Sequence, residues 1–422
     1  MVSAKIKAFA ADRHLGQVPG QAKTPPLSLI AAVTATGFAS LHMVVPALPV
    51  LAHAFDRGSA EVQLVLTLYF LGIAAGQLIY GPVSDRLGRR PVLLAGLSLF
   101  LAGTVVCGGA LSLPMLLAGR VAQATGACAG LVLGRAIIRD VYDRDGAARG
   151  IALVMMAMSL APAVSPAIGA YLTQWFGWRA MFWLMGGFGA IVLGWTQLRL
   201  RETLAQPVPL NMGELGRSYA MLLRAPPFLC FAFCTSFTSA SWFTFIATAP
   251  YLMSETLHEP PSAYGLMIVL PMAAYIIGNA AAARFARWAG TGTMVISGVL
   301  VSLASGALMA GWCVWPGFST WALFVPMAVS SIGNGLSQPT AMAAGLSVHP
   351  RVAGTASGLI GFMQMAASSL GTLAVGVLPH DGPFAMVGVV LFTQIAACVL
   401  GAVAVRMPAG VMPAAAASEG RA

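Results

Sequence analysis

The chain has 422 residues, 58% hydrophobic and only 9% charged, with a net charge of +10, whereas soluble globular chains carry about 25% charged residues. That deficit excludes an ordinary soluble enzyme, because the polar surface needed to wrap the roughly three cores this length would fill is missing. Nor does the positive charge mark nucleic-acid binding, since the basic residues form short separated clusters and not one stripe.

Residues 1–26 are a charged tail ending in Pro25-Pro26. The apolar run that follows is too long for the h-region of a signal peptide, so no cleaved leader is expected. A helix crossing hydrocarbon needs about 20 mostly apolar residues. Twelve runs meet that length: Leu27–Ala52, Val62–Pro82, Pro91–Leu111, Pro114–Ile137, Ala148–Leu172, Trp178–Leu198, Phe228–Met253, Ala263–Ala283, Thr293–Cys313, Phe318–Met342, Val352–Val377 and Gly382–Val405. The longest polar stretch, 199–227, separates six runs from six. The predicted fold is therefore all-α and membrane-spanning, with twelve transmembrane helices in two six-helix bundles, 27–198 and 228–405, and tails at 1–26 and 406–422.

Cytoplasmic loops are enriched in Lys and Arg. With the N-terminus inside, 20 of the 23 basic residues fall in inner segments, Arg57 and Arg179 fall outside, and Arg120 lies within a run. Both tails and the central loop are accordingly expected in the cytoplasm. Trp175, Trp178, Tyr251 and Trp315 sit near predicted outer helix ends, where aromatic side chains form interfacial belts.

Several chemistries lose their anchors. The only lysines are Lys5, Lys7 and Lys23, so no phosphate loop of the G-x-x-x-x-G-K-[ST] type exists, and no H-E-x-x-H, C-x-x-C or G-x-S-x-G occurs. No enzymatic activity, cofactor or metal site is expected. The six cysteines all fall in apolar runs, where they behave as small hydrophobes without a disulfide framework.

The turn between the second and third runs reads Gly81-Pro82-Val83-Ser84-Asp85-Arg86-Leu87-Gly88-Arg89-Arg90-Pro91. Gly81 and Gly88 permit a tight reversal, and Asp85 can cap a helix N-terminus or pair with a neighbouring Arg. The fourth run holds Arg120-Val-Ala-Gln123-Ala-Thr-Gly126, with Arg120 and Gln123 on one face. An Arg at this depth should face a cavity or a partner. The fifth run holds Ala161-Pro162-Ala-Val-Ser165-Pro166-Ala-Ile-Gly169-Ala170, whose small residues at four-residue spacing let helices approach.

These three elements resemble signatures of the major facilitator superfamily: G-x-x-x-D-R-x-G-R-R, R-x-x-Q-x-x-G and the exporters' G-P-x-x-G-P-x-x-G-G. Further stretches (Arg135 to Asp140, Gly177 to Trp183, Glu202-Thr203-Leu204, Ala353 to Ser357) resemble its Bcr/CflA group of drug:proton antiporters. The resemblance spans nearly the whole chain. It implies the superfamily's fold of two pseudo-symmetric bundles, and a gating loop of Gly81, Asp85, Arg86, Gly88, Arg89 and Arg90. It also implies proton coupling through Arg120, and an exporter motif at Pro162, Pro166 and Gly169. Simpler readings stand beside these: a basic turn that only fixes topology, an Arg satisfied by backbone carbonyls, and prolines that serve packing.

One position departs from the group. Its S-x-D-M-Y-L-P pattern here reads Ser40-Leu-His42-Met-Val-Val-Pro46, and none of the 13 acidic residues lies near a predicted helix centre. A buried carboxylate attracts lipophilic cations, so its absence favours neutral or anionic substrates. Histidine titrates near neutral pH, so His42 either replaces the carboxylate in coupling or is a neutral, satisfied side chain. Candidate cavity residues are Gln123, Trp242, Phe243, Phe245, Tyr275, Asn279, Asn334, Gln338, Met363 and Gln364, with aromatics facing lipid as the alternative. The functional expectation is proton-driven efflux of small hydrophobic drug-like compounds by alternating access, from a monomer in the bacterial inner membrane whose partners are substrate, protons and lipid, with no nucleic acid. Export of an endogenous metabolite such as an amino acid is the second reading. A non-transporting receptor or assembly factor is a third.

Overall fold

The structure, a computed structural model, describes residues 24–142, 144–204, 206, 212–314, 318–378 and 382–407. Expectations for Lys5, Lys7, Arg13, Lys23, Trp315 and the tail beyond 407 lie outside the described residues. All regular structure among the described residues is helical. In chain order the helices are α1 (Leu27–Met43), α2 (Leu48–Phe55), α3 (Ser59–Leu87), α4 (Arg89–Gly108), α5 (Leu113–Val141), α6 (Arg144–Phe176), α7 (Arg179–Arg199), α8 (Met212–Leu223), α9 (Pro226–Tyr251), α10 (Pro261–Met267), α11 (Val269–Ala289), α12 (Thr291–Val314), α13 (Thr320–Val348), α14 (Ala353–Val377) and α15 (Phe384–Arg406).

Ten segments among the described residues are long and apolar enough to cross a membrane, several joining two helices, as in Leu27–Phe55 and Pro261–Ala289. The break inside the first is a 3-10 turn at Val45–Ala47, where Pro46 and Pro49 withhold backbone donors from the ladder. Two further helices have ample length. At 1.5 Å per residue, the 33 residues of α6 and 29 of α13 reach roughly 50 and 44 Å. The apolarity of α13 is diluted by side chains such as Asn334 and Gln338, which turn towards other helices. With these two the membrane-length segments among the described residues number twelve, as the twelve apolar runs predict.

The central loop, 199–227, contains α8, whose Leu222 is buried while Glu214 and Arg217 are exposed. Two features differ from the sequence reading. Trp178 and Tyr251 do not form an exposed belt. Trp178 packs edge-on against Phe182 at 6.0 Å and beneath the Arg179 guanidinium at 4.2 Å, while the Tyr251 hydroxyl donates to the Leu48 carbonyl at 3.4 Å. Trp175, at 68% exposure, does face outwards. Gly81 does not take part in the reversal either. It lies inside α3, which continues to Leu87, and the chain turns at Gly88 alone, whose φ of +99° suits glycine.

The chain packs as two compact units. One comprises Met1–Leu210 with Ile246–Met272 and Thr372–Gly382, the other Asn211–Phe245, Ala273–Gly371 and Pro383–Ala422. In the first unit, α3, α4 and α1 pack on α5, and α6 lies along α1 and α10. In the second, α12 packs on α13 and α15. All six cysteines are unbridged thiols.

Candidate functional site

Two polar constructions stand out in the first unit. One sits at the junction of α3 and α4. Gly88 turns the chain between Asp85 and Arg89, and the Arg89 guanidinium pairs with Asp85 at 2.5 Å and Asp140 of α5 at 2.9 Å. It also donates to the Ser84 hydroxyl at 2.6 Å. Arg89 is only 4% exposed, and two carboxylates offset the cost of burying its charge. Arg90 turns the other way, donating to the carbonyls of Leu200 and Gln197 at the end of α7. Arg86 is exposed.

Asp85 is not the helix cap. That role falls to Glu202, beyond α7, whose carboxylate accepts from the Arg89 and Arg90 backbone N–H groups at 2.8 and 3.2 Å. It occupies the space a Cβ at Gly88 would fill, which is a second reason for glycine there. Burial pulls the Glu202 carboxyl up, but the N–H groups of Leu204, Arg89, Arg90 and Thr203 together hold it below the usual carboxylate range. The resemblance singled out Glu202-Thr203-Leu204 without giving Glu202 a role, and Asp140 only as the end of a motif. Their pairing with Arg89 spans 113 and 51 residues, a separation that periodicity along the chain does not encode.

The second construction is the surroundings of Arg120 on α5. This guanidinium is 0% exposed. Its Nη1 donates to Gln123 Oε1 at 2.6 Å and to the Ser40 carbonyl at 3.4 Å, its Nε donates to the Val65 carbonyl at 3.4 Å, and its Cζ lies 4.0 Å above the Tyr69 ring. Gln123 is held in turn, donating from Nε2 to the Thr104 hydroxyl at 2.8 Å. Tyr69 is fixed by its bond to the Gly37 carbonyl. Every one of these partners is neutral, and the Arg120 Nη2 has no acceptor. Nothing in the sequence singles out Tyr69 and Thr104. A buried aromatic and a threonine in apolar runs carry no local signal of the cation they serve.

His42 lies two residues beyond Ser40 on α1. Its Nδ1 is 2.9 Å from the Phe38 carbonyl. A carbonyl only accepts, so Nδ1 carries a proton and Nε2 is the nitrogen that titrates. The described carboxylates Asp56, Glu61, Asp85, Asp140, Glu202, Glu214, Glu255 and Glu259 all sit at helix ends or between helices.

On α6, Gly169 brings the backbone against the Met43 carbonyl of α1, and Ala167 and Ala170 receive Gly265 of α10. Pro162 and Pro166 lie buried within the same helix. The close approaches thus fall at Ala170, on the four-residue spacing, and at Ala167 and Gly169, each one residue from it.

The second unit groups some of its candidates. The Tyr275 hydroxyl donates to Gln338 Oε1 at 2.9 Å, and Gln338 Nε2 donates to the Ser239 hydroxyl at 2.7 Å. Asn334 faces a different neighbour, accepting from the Ser302 hydroxyl at 2.9 Å. Phe245 is fully buried, edge-on to Phe324 at 5.3 Å and 6.2 Å from Trp242. Asn279 and Gln364 are half-buried.

Comparison with known proteins places this architecture. The model of the Major Facilitator Superfamily matches residues 27–372. The chain is 30% identical over 358 residues to "Multidrug resistance protein D" of Escherichia coli strain K12, covering 84% of this chain and 89% of the relative. It is 26% identical over 363 residues to the "Bicyclomycin resistance protein homolog" of Haemophilus influenzae, covering 85% and 89%. The crystal structure of a D-xylose-proton symporter superposes with a TM-score of 0.72 at 15% identity over 89% of this chain and 96% of that one. The chain is an integral, multi-pass membrane protein that belongs to the Major Facilitator Superfamily, in its Bcr/CflA-type drug-resistance branch.

Proposed function

We propose that this protein is a secondary active exporter of small, hydrophobic, neutral or anionic drug-like compounds, working by alternating access in exchange for protons. The observation that carries the reading is Arg120. It is a fully buried permanent cation among neutral partners, with one nitrogen lacking an acceptor. A group of that kind donates to carbonyl, hydroxyl or anionic oxygen and repels a cation. The names of the relatives, multidrug and bicyclomycin resistance, supply the drug-like class.

Proton exchange follows from His42. Its Nε2 lone pair accepts a hydrogen bond from a neutral substrate's N–H or O–H, and a proton competes for the same lone pair. Protonation also adds a second positive charge to a stretch of α1 whose Ser40 carbonyl already receives Arg120. A neutral substrate that donates to Nε2 and a proton therefore exclude one another, which is the condition for exchange. Arg120 stays charged throughout and orients the substrate's acceptor. The remaining roles are part of the proposal: Gly81, Asp85, Arg86, Gly88, Arg89 and Arg90 as the inner gate, Pro162, Pro166 and Gly169 as the exporter element, and Trp242, Phe245, Tyr275, Asn279, Asn334, Gln338 and Gln364 as substrate-facing groups. So are the six-plus-six division at 199–227, cytoplasmic termini, a monomer, and residence in a bacterial inner membrane.

Reconstitution into liposomes tests it. A drug of neutral charge should move against its gradient when a proton gradient is imposed, and His42→Gln should remove the dependence on that gradient. Undiminished pH-driven exchange in His42→Gln would eliminate the coupling role. Absence of all movement by the wild type would eliminate the transport reading.

A further inference from the structure

At the end of the first unit where α3 begins, the last turns of α14 lie against it. The Thr67 and Thr372 hydroxyls share a hydrogen bond of 2.9 Å. Four residues back along α3 and four on along α14, Gly376 covers Gln63: a Cβ at 376 would stand 2.8 Å from Gln63 Oε1 and 3.6 Å from the Ala60 Cα. Gln63 is 1% exposed, and neither its Oε1 nor its Nε2 has a hydrogen-bond partner.

A carboxamide buried without partners loses its hydration and gains nothing in return. Folded proteins seldom keep such a group, and a methionine of similar length would fill the same space at no such cost. The cost also exists only while α14 covers α3. Once Gly376 lifts away, water reaches both amide atoms. The surrounding contacts at this end act in the opposite direction: the Thr67–Thr372 bond, the Tyr251 bond to the Leu48 carbonyl, and Gly265 seated on Ala167 and Ala170.

We propose that Gln63 is a release element, a polar group whose burial under Gly376 is kept unfavourable so that the packed end of α3 and α14 parts readily. The inference rests on the alternating-access reading, in which such an end opens and closes once per cycle. It adds a residue whose task is to stop the closed arrangement from becoming a trap.

Hydrogen exchange on the full chain in lipid nanodiscs, read by mass spectrometry over the first turns of α3 and the last turn of α14, tests it without a substrate. Gln63→Met should slow exchange there about ten-fold, equivalent to about 1.4 kcal/mol, and Gly376→Ala, which pushes a methyl group into Gln63, should speed it. In proteoliposomes Gln63→Met should turn over more slowly than wild type. Exchange that is unchanged or faster in Gln63→Met overturns the proposal, and Gln63→Leu repeats the measurement should the first variant fold poorly. If wild type moves no substrate, the transport reading fails, and the exchange rates still decide whether Gln63 loosens this end.

Discussion

The helix pairs α4–α5 and α12–α13 are built on the same plan and differ in one respect. Both meet along glycine seams. A Cβ at Gly103 or Gly126 would run into the backbone of the facing helix, at Gln123 and Phe100, and one at Gly298 or Gly333 would meet the partner glycine's carbonyl. Both also join hydroxyl to carboxamide across the seam, Thr104 to Gln123 at 2.8 Å and Ser302 to Asn334 at 2.9 Å. The first pair adds Arg120 three residues from Gln123 and ties its charged end through Arg89 and Asp140. The second contains no charged side chain at all. Close packing is therefore common to both pairs, while fixed charge belongs to one. A substitution that acts through packing should affect them alike, and one that acts through charge should separate them.

The largest expected effect tests the shared part. Gly126→Val and Gly333→Val each require two backbones to move apart, and overpacking of this kind costs about 3 kcal/mol or more. Both variants should lose folded, monodisperse protein in detergent to a similar degree. If only one collapses, the seams are not equivalent.

Arg120→Met tests the part that differs. A guanidinium at helix depth costs about 2.5–3.5 kcal/mol on insertion scales, so its removal should leave the melting temperature unchanged or raise it. Transport should fall roughly ten- to a hundred-fold, the loss expected from charged hydrogen bonds of ~1.5–3 kcal/mol. An arginine that serves only structure would show the reverse: a lower melting temperature with transport per folded molecule retained.

What the sequence makes legible follows the same division. Apolar runs of about 20 residues announce themselves, because a spanning helix has to present that much hydrocarbon to lipid. Arg120 is conspicuous because nothing else in the middle of a run is charged. The partners that make it a site are not. Tyr69 and Thr104 look like ordinary members of apolar runs, and only the fold brings them to the guanidinium and to Gln123. Gly81 and Gly88 are alike as letters, yet one continues a helix and the other takes a positive φ. Asn334 and Gln338, four residues apart, engage α12 on one side and α9 with α11 on the other, because a helical face is broad enough to touch more than one neighbour.

Glu202 sharpens the comparison at the charged end. Its carboxyl lies below the usual range, so the stability it contributes is fully present above the unfolded value of about 4.3 and is lost as pH falls through the lower folded one. Glu202→Gln should cost about 0.5–1 kcal/mol, the low end for a helix cap because the side chain is exposed to solvent. The variant should also flatten the acid limb of a melting-temperature-against-pH curve. An unchanged acid limb would mean that the cap works as well protonated.

The smallest effect separates the pairs most finely. Thr104→Val and Ser302→Ala each remove the hydroxyl that bridges a glycine seam, Thr104 to Gln123 and Ser302 to Asn334 and the Ser330 carbonyl, a loss of about 1 kcal/mol, and should lower the melting temperature by similar amounts. Gln123, however, gives its Oε1 to Arg120, and its Nε2 is fixed by Thr104. Without that hydroxyl the carboxamide is free to turn, and the guanidinium loses its shortest contact. Asn334 orients no charge, so nothing comparable follows on the other side. Thr104→Val should therefore also raise the substrate concentration needed for half-maximal transport, while Ser302→Ala leaves it unchanged. Equal transport behaviour in the two variants would reduce Gln123 to a packing residue and leave the Arg120 site dependent on Tyr69 and the backbone carbonyls alone.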